Sequence, residues 1–229
     1  MGIFGQLFAK NESAQTTNAP ADSIPNAPIS HAPILNAPSP TTEQDLIERF
    51  IGIALDKQTD LYDVIGDNNW AANLDIAQLS FAEDKKFSIQ TLGTYSHQSN
   101  SWLSAWANKQ TDWPENVRVQ SHQLKLYGEQ NNVDIFSHGS FGAPISDVHL
   151  IGQLASGLFA SSAYYIADYG DGAMLFLLNA GQLPAAKNEH ARVITMIPQM
   201  ISAYEMNHKN AILHYLTAKS YSISQKKIH

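Results

Sequence analysis

The 229-residue sequence contains no cysteine. This absence excludes a disulfide scaffold, a cysteine-ligated zinc or iron–sulfur site and a cysteine nucleophile. Basic residues are few, since 14 Lys and Arg against 21 Asp and Glu give a net charge of −7. Because phosphate binding needs clustered Lys and Arg, we do not expect a nucleic-acid partner. No apolar run approaches the ~18–20 residues of a membrane span, so we expect a cytoplasmic protein without a transmembrane segment.

Proline is concentrated in one part of the chain, since six of the ten prolines lie between Pro20 and Pro40. Proline lacks an N–H and biases the preceding residue toward an extended backbone, so this stretch cannot form a helix or lie inside a sheet. We therefore predict a disordered tail rich in Pro, Ala and Asn, with a linker over residues 11–42. A single α+β domain is expected over 43–229.

A short apolar segment, residues 1–10, precedes the linker. One helical turn would place its large side chains on one face; these are Ile3, Phe4, Leu7 and Phe8. Such a segment could bind a protein partner or a membrane surface, or it could pack on its own domain or stay without structure. We predict a partner-binding role, with peripheral membrane contact left open.

The hydrophobic pattern of the domain alternates between helix and strand periods. It predicts an α+β fold, with a largely antiparallel sheet of about five to six strands packed against about four helices. The predicted helices cover about 42–60, 115–130, 147–161 and 198–219. The predicted strands are a bulged one over 74–81, one from 87, one over 101–108, the hairpin 164–178 and a further strand over 192–196.

Three of the four tryptophans lie within residues 101–114. If 101–108 is a strand, alternate residues share one face; these are Trp102, Ser104, Trp106 and Asn108. Two indoles beside a hydroxyl and an amide suit either a core seam or the wall of a ligand pocket. We predict these four residues as candidate ligand-binding residues.

The same segment carries a family resemblance. Residues 92–96, Leu-Gly-Thr-Tyr-Ser, and residues 101–108, Ser-Trp-Leu-Ser-Ala-Trp-Ala-Asn, resemble an uncharacterised bacterial family with a T-W-L-W-A-W-A-N-like signature. The match continues more weakly through 126–129, 163–178 and 208–216, and Ser104 replaces a third tryptophan. The resemblance implies a shared fold and a bacterial source, and it implies no catalytic residue.

Motifs for catalysis are scarce in this chain. There is no G-x-S-x-G, no phosphate-binding G-x-x-x-x-G-K-[ST] and a single E-x-x-H at Glu205 and His208. A Ser/His/Asp set occurs at Ser140, His138 and Asp134, and such sets arise often by chance in polar loops. We predict no catalytic residue, no metal site and no cofactor, with an unrecognised hydrolase as an alternative.

Negative charge is concentrated at the start of the domain. Residues 43–84 hold two basic and ten acidic residues, 2 − 10 = −8. Asp56 and Asp60 lie on the first predicted helix and Asp63 follows it, either on a solvated face or on a docking surface for a basic protein. Together these features favour an interaction module, with an immunity-type or inhibitory role as one form. A small-molecule binding domain is the alternative, and the oligomeric state is open.

Overall fold

The computed structural model describes residues 42–179, 181–183 and 190–223. The apolar segment 1–10 and all but the last residue of the linker 11–42 lie outside the described residues. The domain boundaries therefore stay predictions, and the account below concerns the described part of the chain.

Six α-helices and seven strands occur within the described residues. The helices are α1 Glu43–Ile65, α2 Val119–Asn131, α3 Asp134–Ser137, α4 Ile145–Leu158, α5 His190–Ala203 and α6 His208–Ala218. The strands are β1 Trp70–Asn73, β2 Gln78–Phe81, β3 Lys85–Ser96, β4 Ser101–Ser104, β5 Ser140–Gly142, β6 Ala163–Asp168 and β7 Gly172–Leu178. All pairings among these strands are antiparallel. The predicted α+β class is confirmed, with more strands and helices than expected.

The first helix begins at a reciprocal cap. The Thr42 side chain accepts from the Asp45 N–H and the Asp45 carboxylate accepts from the Thr42 N–H, which satisfies two donors that a helix start leaves unpaired. The helix ends before Gly66, whose φ of 54° suits glycine. It therefore runs five residues beyond its predicted end, and its apolar side binds the rest of the molecule.

Strand β3 organises the sheet, because it is 12 residues long and pairs with three others. Its first four residues pair with β2, its last four with β4, and residues 89–96 with β7. A bulge between Thr91 and Gly93 inserts an extra residue, and such bulges bend a strand. The path through the sheet is β1-β2-β3-β4-β5, with β7 also on β3 and β6 on β7.

The bulged strand predicted over 74–81 is wrong, because this stretch is the turn and second strand of the β1–β2 hairpin. The Asn73 side chain accepts from the N–H groups of Asp75 and Ile76, and this local bonding turns the chain. Ala77 completes the turn with a φ of 52°. The break in alternation that we interpreted as a bulge therefore marks the end of the turn and the start of β2.

Alternate residues of the β6–β7 hairpin enter two separate cores. Tyr164, Leu175 and Leu177 lie in the larger cluster with residues of helices α1 and α4. Phe176 and Leu178 lie in a second cluster with side chains of the β1–β2 hairpin. The sheet is thus covered on both sides, and the predicted hairpin at 164–178 is confirmed.

The C-terminal part of the chain differs most from prediction. The strand expected over 192–196 and the single helix expected from Pro198 are wrong, since α5 contains Pro198 and a separate α6 follows. Val193, Met196 and Met200 are buried at the helical spacing of three and four, so packing outweighs the strand preference of the β-branched residues. Asn207 caps α6 by accepting from the Asn210 N–H, which separates the two helices.

Gly93 is a point of close approach between β3 and β4. A Cβ there would overlap the backbone oxygen of Leu103 and the indole of Trp102. We expect Gly93→Ala to lower the free energy of unfolding by about 1–3 kcal/mol, because the core must shift to admit the methyl group. Urea unfolding measures the loss. Gly142→Ala in β5 is the control, since its Cβ would lie 3.9 Å from the Asn100 oxygen; equal losses in the two variants would contradict this constraint.

Candidate functional site

Two of the predicted ligand-binding residues belong to the interior. Trp102 is 1% exposed, and its indole Nε1 donates to the Ser104 Oγ at 3.0 Å. The Ser104 hydroxyl in turn donates to the backbone oxygen of His138 at 3.3 Å. This chain of hydrogen bonds satisfies buried polar atoms and ties β4 to the segment before β5.

The other two predicted residues lie beyond the end of β4. The chain turns after Ser104, where the N–H groups of Ala107 and Asn108 both donate to the backbone oxygen of Ser104. Asn108 is buried, and its side-chain oxygen accepts from the N–H groups of residues 110 and 111. Trp106 is half-buried, with the Lys125 Nζ 4.8 Å from its ring centroid.

A shared strand face for these four residues is therefore wrong, because the strand premise holds only to Ser104. The structure brings Trp102 and Ser104 together and leaves Trp106 on a turn with its own cationic partner. Their ligand-binding role stays a prediction, and the observed arrangement gives it no support.

The predicted acidic residues of α1 face two basic residues of the same chain. The Arg192 guanidinium lies 3.0 Å from Asp60, 3.6 Å from Asp56 and 3.6 Å from Asp63. Asp56 is fully buried and Asp60 is 9% exposed. A solvated face is therefore wrong for these two carboxylates, and Asp63 alone of the three keeps a half-exposed side chain.

Asp56 is the centre of this charge cluster, which we define as Asp56, Asp60, Asp63, Arg192, Tyr215 and Lys219. The Lys219 Nζ lies 2.7 Å from Asp56 Oδ2, and the Tyr215 hydroxyl donates to the same oxygen at 3.0 Å. Burial raises the pKa of Asp60, and the charge of Arg192 opposes that shift. The cluster joins α1 to both C-terminal helices without leaving Asp56 unpaired inside the protein.

Polar contacts also fix the connection between α5 and α6. The Glu48 carboxylate accepts from the Asn207 N–H at 3.0 Å and from the Asn210 side chain at 3.1 Å. The Gln44 amide donates to the Glu205 backbone oxygen at 3.0 Å. Helix α5 is thus held to α1 near its first residues by Arg192 and just after its last residues by Gln44 and Glu48.

The side of α5 away from α1 is apolar and accessible. We call this surface the α5 face; its residues are Ile194, Ile197, Pro198 and Ile201. Ile194 is 71% exposed, Pro198 is exposed, and Ile197 and Ile201 are half-buried. Their spacing of three, four and seven places them in one stripe along the helix. No charged residue occurs from 193 to 204 in the sequence, so this stripe is bordered by uncharged side chains of its own helix.

The candidate catalytic and metal motifs do not converge. The His138 Nδ1 lies 2.9 Å from the backbone oxygen of Asp134 rather than from its carboxylate, and Ser140 is exposed on β5. Glu205 lies between α5 and α6, so it shares no helical face with His208. Within the described part of the chain, no group of three or more His, Cys, Asp or Glu could hold a metal ion.

A second polar group lies between α4, β6 and the end of α5. The His149 Nδ1 lies 3.0 Å from the Tyr164 hydroxyl, and the Tyr204 hydroxyl donates to Gln153 Oε1 at 2.7 Å. Burial lowers the pKa of His149 to about 4 and raises the pKa of the Tyr164 phenol. Both groups are therefore neutral near pH 7, which suits buried structural side chains.

Sequence reasoning missed Arg192, Tyr215 and Lys219 as members of the charge cluster. The spacing of Asp56, Asp60 and Asp63 by four and three residues was a signal that they share a helix face. Nothing local identified their partners, because Tyr215 is 159 residues from Asp56 and Arg192 is 132 residues from Asp60.

Replacing Lys219 tests the charge cluster. We expect Lys219→Met to lower the free energy of unfolding by about 3–5 kcal/mol, because it leaves Asp56 buried without its closest cation. Lys125→Met is the control, since its exposed pair with Glu129 and its contact with the Trp106 ring are each worth about 1 kcal/mol or less. Adding Asp56→Asn to Lys219→Met should recover part of the loss. Similar losses for the two lysine variants in urea unfolding would refute the central role of this pair.

His149 generates a pH dependence of stability. The folded protein keeps its imidazole neutral down to about pH 4, whereas the unfolded chain binds a proton below its ordinary pKa of 6.5. Stability is therefore lost as the pH falls through this window, by about 2 kcal/mol from this group at pH 5. His149→Gln should reduce the difference between urea unfolding at about pH 7.5 and about pH 5 by that amount.

Two features bound the interpretation of that measurement. Some pH dependence should persist in His149→Gln, since burial also lowers the pKa of His214. The exposed His122 provides the control, and His122→Gln should keep the wild-type difference. An unchanged difference in His149→Gln would mean that the imidazole is charged in the folded protein.

Among the described residues, no helix is long and apolar enough to cross a membrane.

Comparison with known proteins places the chain in a family. No curated protein and no solved structure matches the chain. The model of a family of unknown function, DUF6882, matches residues 44–180. This match ends just after β7, so α5, α6 and the basic members of the charge cluster lie beyond it. Since the match covers more than half of the sequence, the chain belongs to the DUF6882 family of unknown function.

Proposed function

We propose that this protein is a protein-interaction module whose binding surface is the α5 face. The observation that carries the proposal is Ile194, an isoleucine 71% exposed in an apolar stripe along α5. Single exposed apolar residues are ordinary, but a stripe on one helix bordered by uncharged side chains is typical of a contact surface. A helix face of this kind suits a partner with its own apolar segment.

The anchoring of α5 supports this proposal. Met196 and Met200 are buried beneath the helix, and a Cβ at Gly52 of α1 would come within 2.8 Å of the Met200 sulfur. These contacts hold α5 in place before any partner binds, so the α5 face is already ordered. A surface that needs no ordering loses less entropy on binding. Pro198 adds an apolar ring to the face and has no N–H to donate to the Ile194 oxygen.

The ion pairs of the charge cluster change the expected chemistry of the partner. A basic partner would have to compete with Arg192 and Lys219 for Asp56 and Asp60, which are already buried. An apolar partner meets no such competition at the α5 face. An inhibitory, immunity-type role, a bacterial source and a cytoplasmic location stay predictions from the sequence.

The alternatives have weaker support from the geometry. A small-molecule site on Trp102 and Trp106 would need both indoles at one surface, and Trp102 is 1% exposed. A Ser/His/Asp hydrolase would need the Asp134 carboxylate to orient the His138 ring, whereas the His138 Nδ1 bonds to the Asp134 backbone oxygen.

A photoreactive amino acid at position 194 tests the binding surface in cells that express the chain from its own gene. We expect a discrete adduct with another protein from position 194 and none from position 126, where Leu126 is 55% exposed on α2. Pro198→Glu should abolish the adduct by placing a charge in the stripe, whereas Thr195→Glu, on the other flank of α5, should keep it. The test is run on the full chain and on a chain lacking residues 1–10. Equal labelling from positions 194 and 126 in both would reject the proposal.

A further inference from the structure

We propose that the chain's own residues 1–10 bind the α5 face and occupy it in the absence of a partner. This inference rests on the proposed function in using the same surface, and it adds how access to that surface is regulated. It also assigns a site within this protein to the apolar segment formed by Ile3, Phe4, Leu7 and Phe8.

The first argument is where the described chain begins. Thr42 caps α1, and two residues later the Gln44 amide donates to the Glu205 backbone oxygen at 3.0 Å. Glu205 lies two residues after Ala203, the last residue of α5. Glu48 bonds to Asn207 in the same region, so this arrangement is fixed by more than one contact. The N-terminal chain therefore leaves the domain beside one end of the α5 face.

The second argument is distance. Residues 11–41 comprise 31 residues, and a chain of that length has an r.m.s. span of about 30 Å. Helix α5 has 14 residues, which corresponds to about 21 Å. The stripe from Ile194 to Ile201 takes up about 10 Å of that length. The linker can therefore deliver residues 1–10 to any point of the α5 face.

The third argument is chemical complementarity. The large residues of the segment recur with a helical period, like the stripe that they would contact, and the two sets have similar lengths. Side chains 1–9 carry no charge, and neither do side chains 193–204. The contact would therefore bury apolar groups on both sides without burying a charged side chain.

Attachment to the same chain makes this contact feasible. A helix of ten residues is marginal by itself in water, so the free segment would bind weakly to a separate domain. A tether raises its effective concentration to about the millimolar range, which favours binding within one molecule. A protein partner would then have to displace residues 1–10 to reach the α5 face.

The absence of cysteine provides a direct test. We place Gln6→Cys in the segment and Ser202→Cys at the edge of the α5 face, in the full chain. The reference pair is Gln6→Cys with Gln130→Cys, an exposed position at the end of α2. Under mild oxidation we expect the first pair to form its intramolecular disulfide at least about tenfold faster than the reference pair, at a rate independent of protein concentration.

A charge in the stripe provides the matched control. Ile194 is exposed, so Ile194→Asp should leave thermal unfolding unchanged while reducing the rate of disulfide formation to that of the reference pair. Thr195→Asp places the same charge on the other flank of α5 and should leave the fast rate intact. If both aspartates act alike, the segment does not recognise the stripe and the proposal is overturned.

Three other outcomes also overturn the proposal. Equal rates for the two cysteine pairs would mean that residues 1–10 sample the surface without preference. A disulfide between two chains, with a rate rising with concentration, would identify a second copy as the occupant. If the first cysteine pair shows no fast disulfide formation in water and residues 1–10 bind to vesicles of phosphatidylcholine and phosphatidylglycerol, lipid is the ligand of the segment.

The inference and the proposed function fail separately. If the disulfide result is positive and position 194 labels no other protein even when residues 1–10 are deleted, the inference stands and the interaction module is rejected. If the disulfide rates are equal and the full chain labels another protein from position 194, the interaction module stands and the inference is rejected. If both hold, deletion of residues 1–10 increases the yield of the partner adduct several-fold.

Discussion

The burial of Asp56 is the constraint on which the placement of the two C-terminal helices depends. A fully buried carboxylate is costly unless it is paired and hydrogen-bonded, and here Lys219 and Tyr215 of the α6 region bind one of its oxygens at 2.7 and 3.0 Å. Arg192 of α5 approaches the other oxygen and bonds to Asp60. Because these partners come from two different helices, one carboxylate determines where both helices lie on α1.

The regularities within single segments could be predicted from the sequence, and those between distant segments could not. The first helix and the β6–β7 hairpin followed from local pattern and turn residues. The strand expected from Arg192 is wrong. Val193, Ile194 and Thr195 are β-branched and favour a strand, but burial against α1 selects the helical spacing of Val193 and Met196 instead. That burial depends on residues more than a hundred positions away.

For the acidic residues of α1, the sequence showed the concentration of charge but not the groups that bind it. The acidic residues of α1 were expected to form either a solvated face or a docking surface for a basic protein. The cations belong to the same chain, in Arg192 and Lys219, so the expected surface became an internal contact. The tryptophan face failed for a different reason, since a turn stabilised by the Ser104 oxygen ends the strand before Trp106. The alternation argument holds only while the strand lasts.

Polar anchoring explains how α5 can leave an apolar stripe exposed. A helix attached to a domain by hydrophobic burial alone would be free to rotate toward burying Ile194. Here Arg192 bonds to Asp60 near one end, and Gln44 and Glu48 bond to the connection beyond the other. Hydrogen bonds and ion pairs are directional, so they set the rotation of the helix as well as its position. The exposure of Ile194 therefore follows from contacts on the opposite side of α5, and it leaves the stripe free to bind another surface.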